Sequence, residues 1–144
     1  MKARGFLNQL RHDEILAAIR AAEEKTSGEI RVFISRKPVA DPVPVAQAHF
    51  LKMRMDKTRH RNAVLIFVAP RTHKFAVIGD AGVHAQCGDT FWRELAAEIA
   101  GHFRKSQFTS GIVHGIRRAG QLLAQHFPPS PGDGNELSDE VAHD

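Results

Sequence analysis

Asp80 is the residue whose setting most directly offers chemistry. An apolar run delivers it into Gly79-Asp80-Ala81-Gly82, and a helix start is read after it at Gly88-Asp89-Thr90. A strand that hands a carboxylate to a glycine-flexed loop is a common way for α/β proteins to present polar groups to a ligand. Carboxylate and carbonyl oxygens converging there would suit calcium or magnesium, hard cations that take oxygen ligands. A cation takes more than one carboxylate, and Asp89, Glu29 and Asp56 are the available partners; the candidate metal set is Asp80, Asp89 and Glu29. Each also has a plainer reading. Aspartate commonly bonds its own backbone in a turn, Asp89 fits a helix N-cap, and Glu29 fits a surface glutamate opening a strand. The residues leave both readings open.

Other combinations carry less. His84 and Cys87 form an HxxC pair just ahead of Asp89, which could in principle bind zinc or form a nucleophile set. Structural zinc sites need four ligands in paired spacing, and no second pair exists. With nine histidines scattered along the chain, His84 reads as a surface residue and Cys87 as a small buried one. Phosphoryl transfer lacks its usual motifs, with no GxxxxGK[ST], DxD, C-x5-R or RHG. Arg61, Arg71 and Lys74 could still recognise phosphate, and the helix start at Asp89 adds a partial positive charge beside an aspartate that repels anions. The hydrolytic alternative is a metal-assisted acid phosphatase acting on phosphomonoesters, in which a cation on Asp80 activates water. It comes with no assigned catalytic residues. The favoured reading is a non-catalytic or weakly catalytic module that binds a divalent cation or a protein. Its candidate surfaces are the basic segment Lys52–Arg61 and the Gly111/Gly115 face with Phe108 beside it.

The elements that must position these residues follow from periodicity. Asn8 to Lys25 reads as a helix with Ile15, Ala18, Ile19 and Ala22 on one stripe, stopped at Thr26-Ser27-Gly28 with Gly28 free to turn left-handed. Glu29 to Arg36 alternates, with Ile30, Val32 and Ile34 opposite Arg31, Phe33 and Ser35, which is a strand, and its position beside a helix implies at least partial cover on both faces. Prolines mark Lys37 to Pro44 as a loop. Pro44 is the expected first residue of a helix running to about Thr58. Ala63 to Ala69 is apolar throughout, so it is a central strand sandwiched between helices. Pro70-Arg71-Thr72 turns the chain into an antiparallel strand, His73 to Ile78, while the crossover between the first two strands makes them parallel. A helix capped by Asp89 or Thr90 carries Trp92, Leu95, Ala96, Ile99 and Phe103. A last helix from about Thr109 buries Ile112, Ile116, Ala119 and Leu123. The expected domain spans 8–128, followed by a disordered acidic tail over 129–144.

Composition bounds the class. The 144 residues are 42% apolar, enough for one domain without a disulfide or structural metal. A single cysteine fits a reducing compartment. No apolar run approaches the ~20 residues of a membrane span, and the charged N-terminus lacks the apolar core of a signal peptide. A cytoplasmic location without membrane insertion is expected. The net charge of +4 and pI near 9.6 raise the question of nucleic acid, but the basic segment has no interleaved aromatics and the chain has no tyrosine. No nucleic acid is expected.

The order helix, Gly28-Glu29-Ile30 strand, helix, Arg61-Asn62-Ala63-Val64-Leu65, and Phe75-Ala76-Val77-Ile78-Gly79-Asp80 is followed by Gly82-Val83, Phe91-Trp92, Phe103, Gly111-Ile112 and His126-Phe127-Pro128. With Glu24 and Thr26, this pattern resembles the TPM-domain family over about Arg11 to Pro128. The resemblance implies a three-layer α/β/α sandwich with a small mixed sheet, a Rossmann-like arrangement with an antiparallel hairpin after a parallel crossover. It also implies a site near the Asp80 loop: some plant members are credited with acid phosphatase activity, and some members bind divalent cations near their loops. Others are accessory subunits or modulators of membrane assemblies, so the partner that the resemblance implies is a protein, such as a component of a membrane-associated assembly.

Overall fold

The computed structural model describes residues 10–129 and 141–144. Its element order is α1 (His12–Glu23), β1 (Glu29–Ile34), α2 (Pro42–Lys52), β2 (Ala63–Ala69), β3 (Lys74–Gly79), α3 (Ala81–Arg104), α4 (Phe108–His126) and β4 (Ala142–His143). Short 3-10 turns at Met55–Lys57 and Pro70–Thr72 join neighbouring elements. The strands form one mixed sheet in the order β3-β2-β1-β4. β1 and β2 run parallel from Glu29↔Ala63 to Ile34↔Val68, and β3 returns antiparallel from Ala69↔Lys74 to Val64↔Gly79.

Every residue of β1 and β2 is buried, because helices cover both faces of the sheet, and alternation divides the strands between two cores. Ile30, Val32, Ile34, Val64, Ile66 and Val68 pack with Ile15 and Ile19 of α1, Val83 of α3 and Ile112, Ile116 and Leu123 of α4. Phe33, Leu65, Phe67 and Ala76 face the other way, onto Ala46 and Phe50 of α2 and Met55 beyond it. One face thus carries three helices and the other carries one. This is the α/β/α sandwich that the sequence predicts.

Several local expectations are corrected. α2 begins at Pro42, not Pro44, because Asp41 caps it by accepting from the Val43 N–H at 3.2 Å. It ends at Lys52, and Arg54 just beyond it takes a left-handed φ of 61°, so the basic segment is mostly a looped connection. Gly28 is not left-handed. It is needed for closeness, since a Cβ there would lie 2.8 Å from Leu123 Cδ1. α3 begins at Ala81, before the predicted start at Asp89 or Thr90. The chain kinks at Gly88, where φ 70° and ψ −178° break the helical path.

Of the predicted tail, 130–140 lies outside the described residues. The remainder departs from the prediction at its end: β4 adds parallel to β1 through Phe33↔Ala142 and Ile34↔His143. Asp144 then accepts from the Ser35 hydroxyl at 2.5 Å and the Arg36 N–H at 2.6 Å. These bonds complete the polar edge of β1, which explains why so short a strand is held.

Candidate functional site

The polar interior gathers at one end of the sheet, where β1 and β2 begin and β3 ends. Thr26, Glu29, Arg31, Thr58, Asn62 and Asp80 are all buried there. Asp80 follows β3 and caps α3, its Oδ1 accepting from the Ala81 N–H at 2.8 Å. Its own N–H donates to the Ala63 carbonyl at 2.9 Å, which fixes it to the start of β2. Arg61 closes on it as a fork: Nε donates to Oδ2 and Nη2 to Oδ1, each at 2.7 Å. The Asp80 side chain is 5% exposed and that of Arg61 is 52% exposed. The hydrogen bond and the charge of Asp80 raise the Arg61 guanidinium above its ordinary value.

Gly82 lets the two loops meet. Its N–H donates to the Arg61 carbonyl at 2.9 Å, and a Cβ would lie 2.5 Å from the His60 carbonyl oxygen. Arg61 itself holds a φ of 51°, a conformation L-residues adopt sparingly and mostly where surroundings impose it.

Glu29 belongs to a second arginine centre. Arg31 Nη2 donates to Glu29 Oε2 at 3.0 Å, and Arg31 Nη1 donates to Glu23 Oε2 at 2.7 Å and to the Ile30 carbonyl at 2.6 Å. Beside it, Asn62 Nδ2 donates to the Ser27 hydroxyl at 3.2 Å, and Asn62 Oδ1 is buried without a hydrogen-bond partner.

The three predicted metal residues therefore fall into three settings. Asp80 is forked by Arg61, Glu29 is held by Arg31, and Asp89 lies on α3 with its side chain 81% exposed, 3.5 Å from His84 Nε2. Among the described residues, no three of His, Cys, Asp and Glu gather in a group able to hold a metal ion. Asp56 lies 3.5 Å from Lys57 Nζ. His84 Nδ1 accepts from the Trp92 indole N–H at 3.1 Å. Burial pushes the Cys87 thiol up, the opposite of an activated nucleophile. Gly111 and Gly115 form no open face. Cβ atoms there would meet Phe103 and His102 (2.8 and 3.1 Å) and Ile99 and Ile66 (3.0 and 3.2 Å), so the pair is the seam where α4 packs on α3 and the sheet.

One titratable pair escaped the sequence reading. His114 Nε2 of α4 lies 2.5 Å from Glu98 Oε1 of α3, and Arg118 Nε donates to the same oxygen at 3.1 Å. The hydrogen bond with His114 holds the Glu98 carboxyl below its ordinary range, against a smaller push upward from burial. The available signal was His114 and Arg118 one turn apart on a predicted helix, but nothing local placed Glu98 opposite them.

Fold and polar centre together define a compact α/β/α domain whose sheet end is pinned by Arg61–Asp80. The sequence model of the TPM domain matches residues 1–122, and the chain belongs to that family. The solution structure of BA42, a protein of the psychrophilic bacterium Bizionia argentinensis, is 36% identical over 94% of this chain and 96% of that one, with a TM-score of 0.84. The N-terminal domain of a protein from P. gingivalis shares the fold at 14% identity, over 79% of this chain and 76% of that chain, with a TM-score of 0.59. Among curated proteins, none matches the chain.

Proposed function

We propose that this TPM domain works by binding, with a protein as its partner, and not by turnover. The supporting observation is the Arg61–Asp80 fork. The carboxylate on which a metal-assisted hydrolase would depend already has both oxygens bonded to a guanidinium, and it caps a helix whose positive end disfavours a cation. Arg61–Asp80 then serves as a latch that holds the start of α3 against the start of β2. A divalent cation at Asp80 competes with Arg61 for the same carboxylate, and the half-exposed Arg61 side chain has room to swing out.

A calcium and then magnesium titration, followed by backbone amide shifts, tests this reading, with phenyl phosphate hydrolysis measured beside it. The expected outcome is no saturable shift at Gly79–Asp89 or Glu29, and no hydrolysis that depends on Asp80. Saturable shifts there that tighten in Arg61→Ala, together with phosphatase activity lost in Asp80→Asn, would replace the binding module with a cation-dependent hydrolase.

A further inference from the structure

The end of the sheet opposite Asp80 holds a cavity of about 520 Å³. It opens where β2 ends and β3 begins, beneath the turn from α3 into α4, and among its walls are Val68, Phe75, Ala100, Phe103 and Phe108. Phe75 meets Phe103 edge to face at 5.4 Å, and Phe103 meets Phe108 at 5.9 Å, so the floor is a wall of rings. The polar lining is basic: His73, Lys74 and Arg104 contribute, and no aspartate or glutamate does, among the described residues. Lys74 and Arg104 are exposed, and neither appears in an ion pair among those described.

Two further features make this a shaped pocket and not a chance dent. His73 and Ser106, which flank it just before β3 and on the α3–α4 turn, hold left-handed φ values of 56° and 59°. Backbone of that kind persists where the surrounding structure imposes it, and it recurs at ligand clamps. The pocket also lies beyond the carboxyl end of β2, on the side of a parallel pair where α/β sheets most often bind ligands. Its volume lies within the range for small-molecule sites, and an apolar wall with a few convergent polar groups is their usual composition.

We infer that this pocket binds a small organic anion with an aromatic or branched apolar body. The body rests on Phe75, Phe103 and Phe108, and the anionic group meets Lys74 and Arg104. The opposite polarity does not fit, because a cation would face a basic rim with no described carboxylate. This inference concerns a different surface from the Arg61–Asp80 latch and stands whether or not the latch binds a cation. A larger groove of about 620 Å³ between α1 and α4 is lined by alanines with Glu14, Lys25 and Arg117 of mixed charge, and nothing in it selects an occupant.

The test is a titration of the full chain with 1-naphthoate, read by amide shifts, beside neutral 1-naphthalenemethanol and beside acetate. Saturable shifts at His73–Phe75 and Ala100–Phe108 are expected with naphthoate, with weaker binding of either half-ligand. Lys74→Glu/Arg104→Glu changes only exposed positions, and it is expected to weaken naphthoate binding by at least about tenfold, as loss of charge-assisted contacts requires. Ala100→Leu keeps both charges while filling the cavity, and it should weaken naphthoate and naphthalenemethanol alike. Shifts located elsewhere, equal binding of the neutral alcohol, or unchanged affinity in both variants would overturn the assignment.

Discussion

Arg61 and Asp80 show how far one side-chain pair can reach. The fork joins a loop to a helix cap, and the same carboxylate serves both. Asp80→Ala removes the cap acceptor and the ion pair together, and loss of the cap alone is worth roughly 0.5–2 kcal/mol. Asp80→Asn keeps an acceptor for the Ala81 N–H and gives up only the charge, so it is expected to be the milder change. Urea unfolding of the two variants should rank them in that order; equal midpoints would show that the cap contributes nothing. The sequence displayed Asp80 as a loop carboxylate and could not display its partner. Arg61 is 19 residues away, and only the antiparallel return of β3 onto β2 brings them together. The Asp80-Ala81-Gly82-Val83 run does contain a local N-cap signal, but Gly82, two residues after Asp80, is equally a loop signal. In the structure that glycine is helical and serves close approach.

At the scale of elements, the strands were the most legible. Alternation in β1 and the unbroken apolar run in β2 follow directly from burial on both faces, and the short connection fixes β3 as antiparallel. α3 was legible only from Asp89 onward, because Gly88 divides its apolar stripe. That glycine holds φ 70° and ψ −178°, and no atom lies within 4 Å of a Cβ placed on it, so the kink is a backbone requirement and not a packing one. Gly88→Ala is therefore expected to destabilise by about 1–3 kcal/mol, the range for a residue forced into glycine-only backbone space. If thermal melting of that variant matches the parent, the kink carries no strain for other residues and the helix can straighten. β4 was not legible at all, because two residues have no period, and its hold comes from Asp144 on Ser35 and Arg36.

At the scale of the whole molecule, the single-helix face carries one part of the pH response. His49 of α2 stacks on Phe33 at 4.1 Å and lies 5.7 Å from Phe67. Burial lowers its pKa; nearby Asp144 pulls it up less strongly, and Lys52 and Lys37 push it down. The unfolded chain therefore takes up this proton more readily than the folded one, and stability falls as pH drops through and below the ordinary value of 6.5. His49→Phe keeps a ring in the stack and removes the titration. Its melting temperature is expected to lose that part of the acid dependence; an unchanged slope would place the response elsewhere. Asp144 acts in a lower window. Burial pushes its carboxyl up, but the bonds from Arg36 and Ser35 together with Lys37 outweigh this and hold it below its ordinary 3.8. Its contribution is present above that value and fades as pH falls further, so acid should loosen α2 before it releases β4.

The two-residue strand also sets a limit on growth. A sheet with two usable edges can add copies of itself without end, whereas a sheet with one can pair once and then stops. Among the described residues, β4 leaves only β3 as a full-length open edge. Residues 142–143 cover the other edge only at Phe33 and Ile34, and nearer its start the Ile30 N–H is already spent on Glu23, so little of β1 is left to recruit a neighbour.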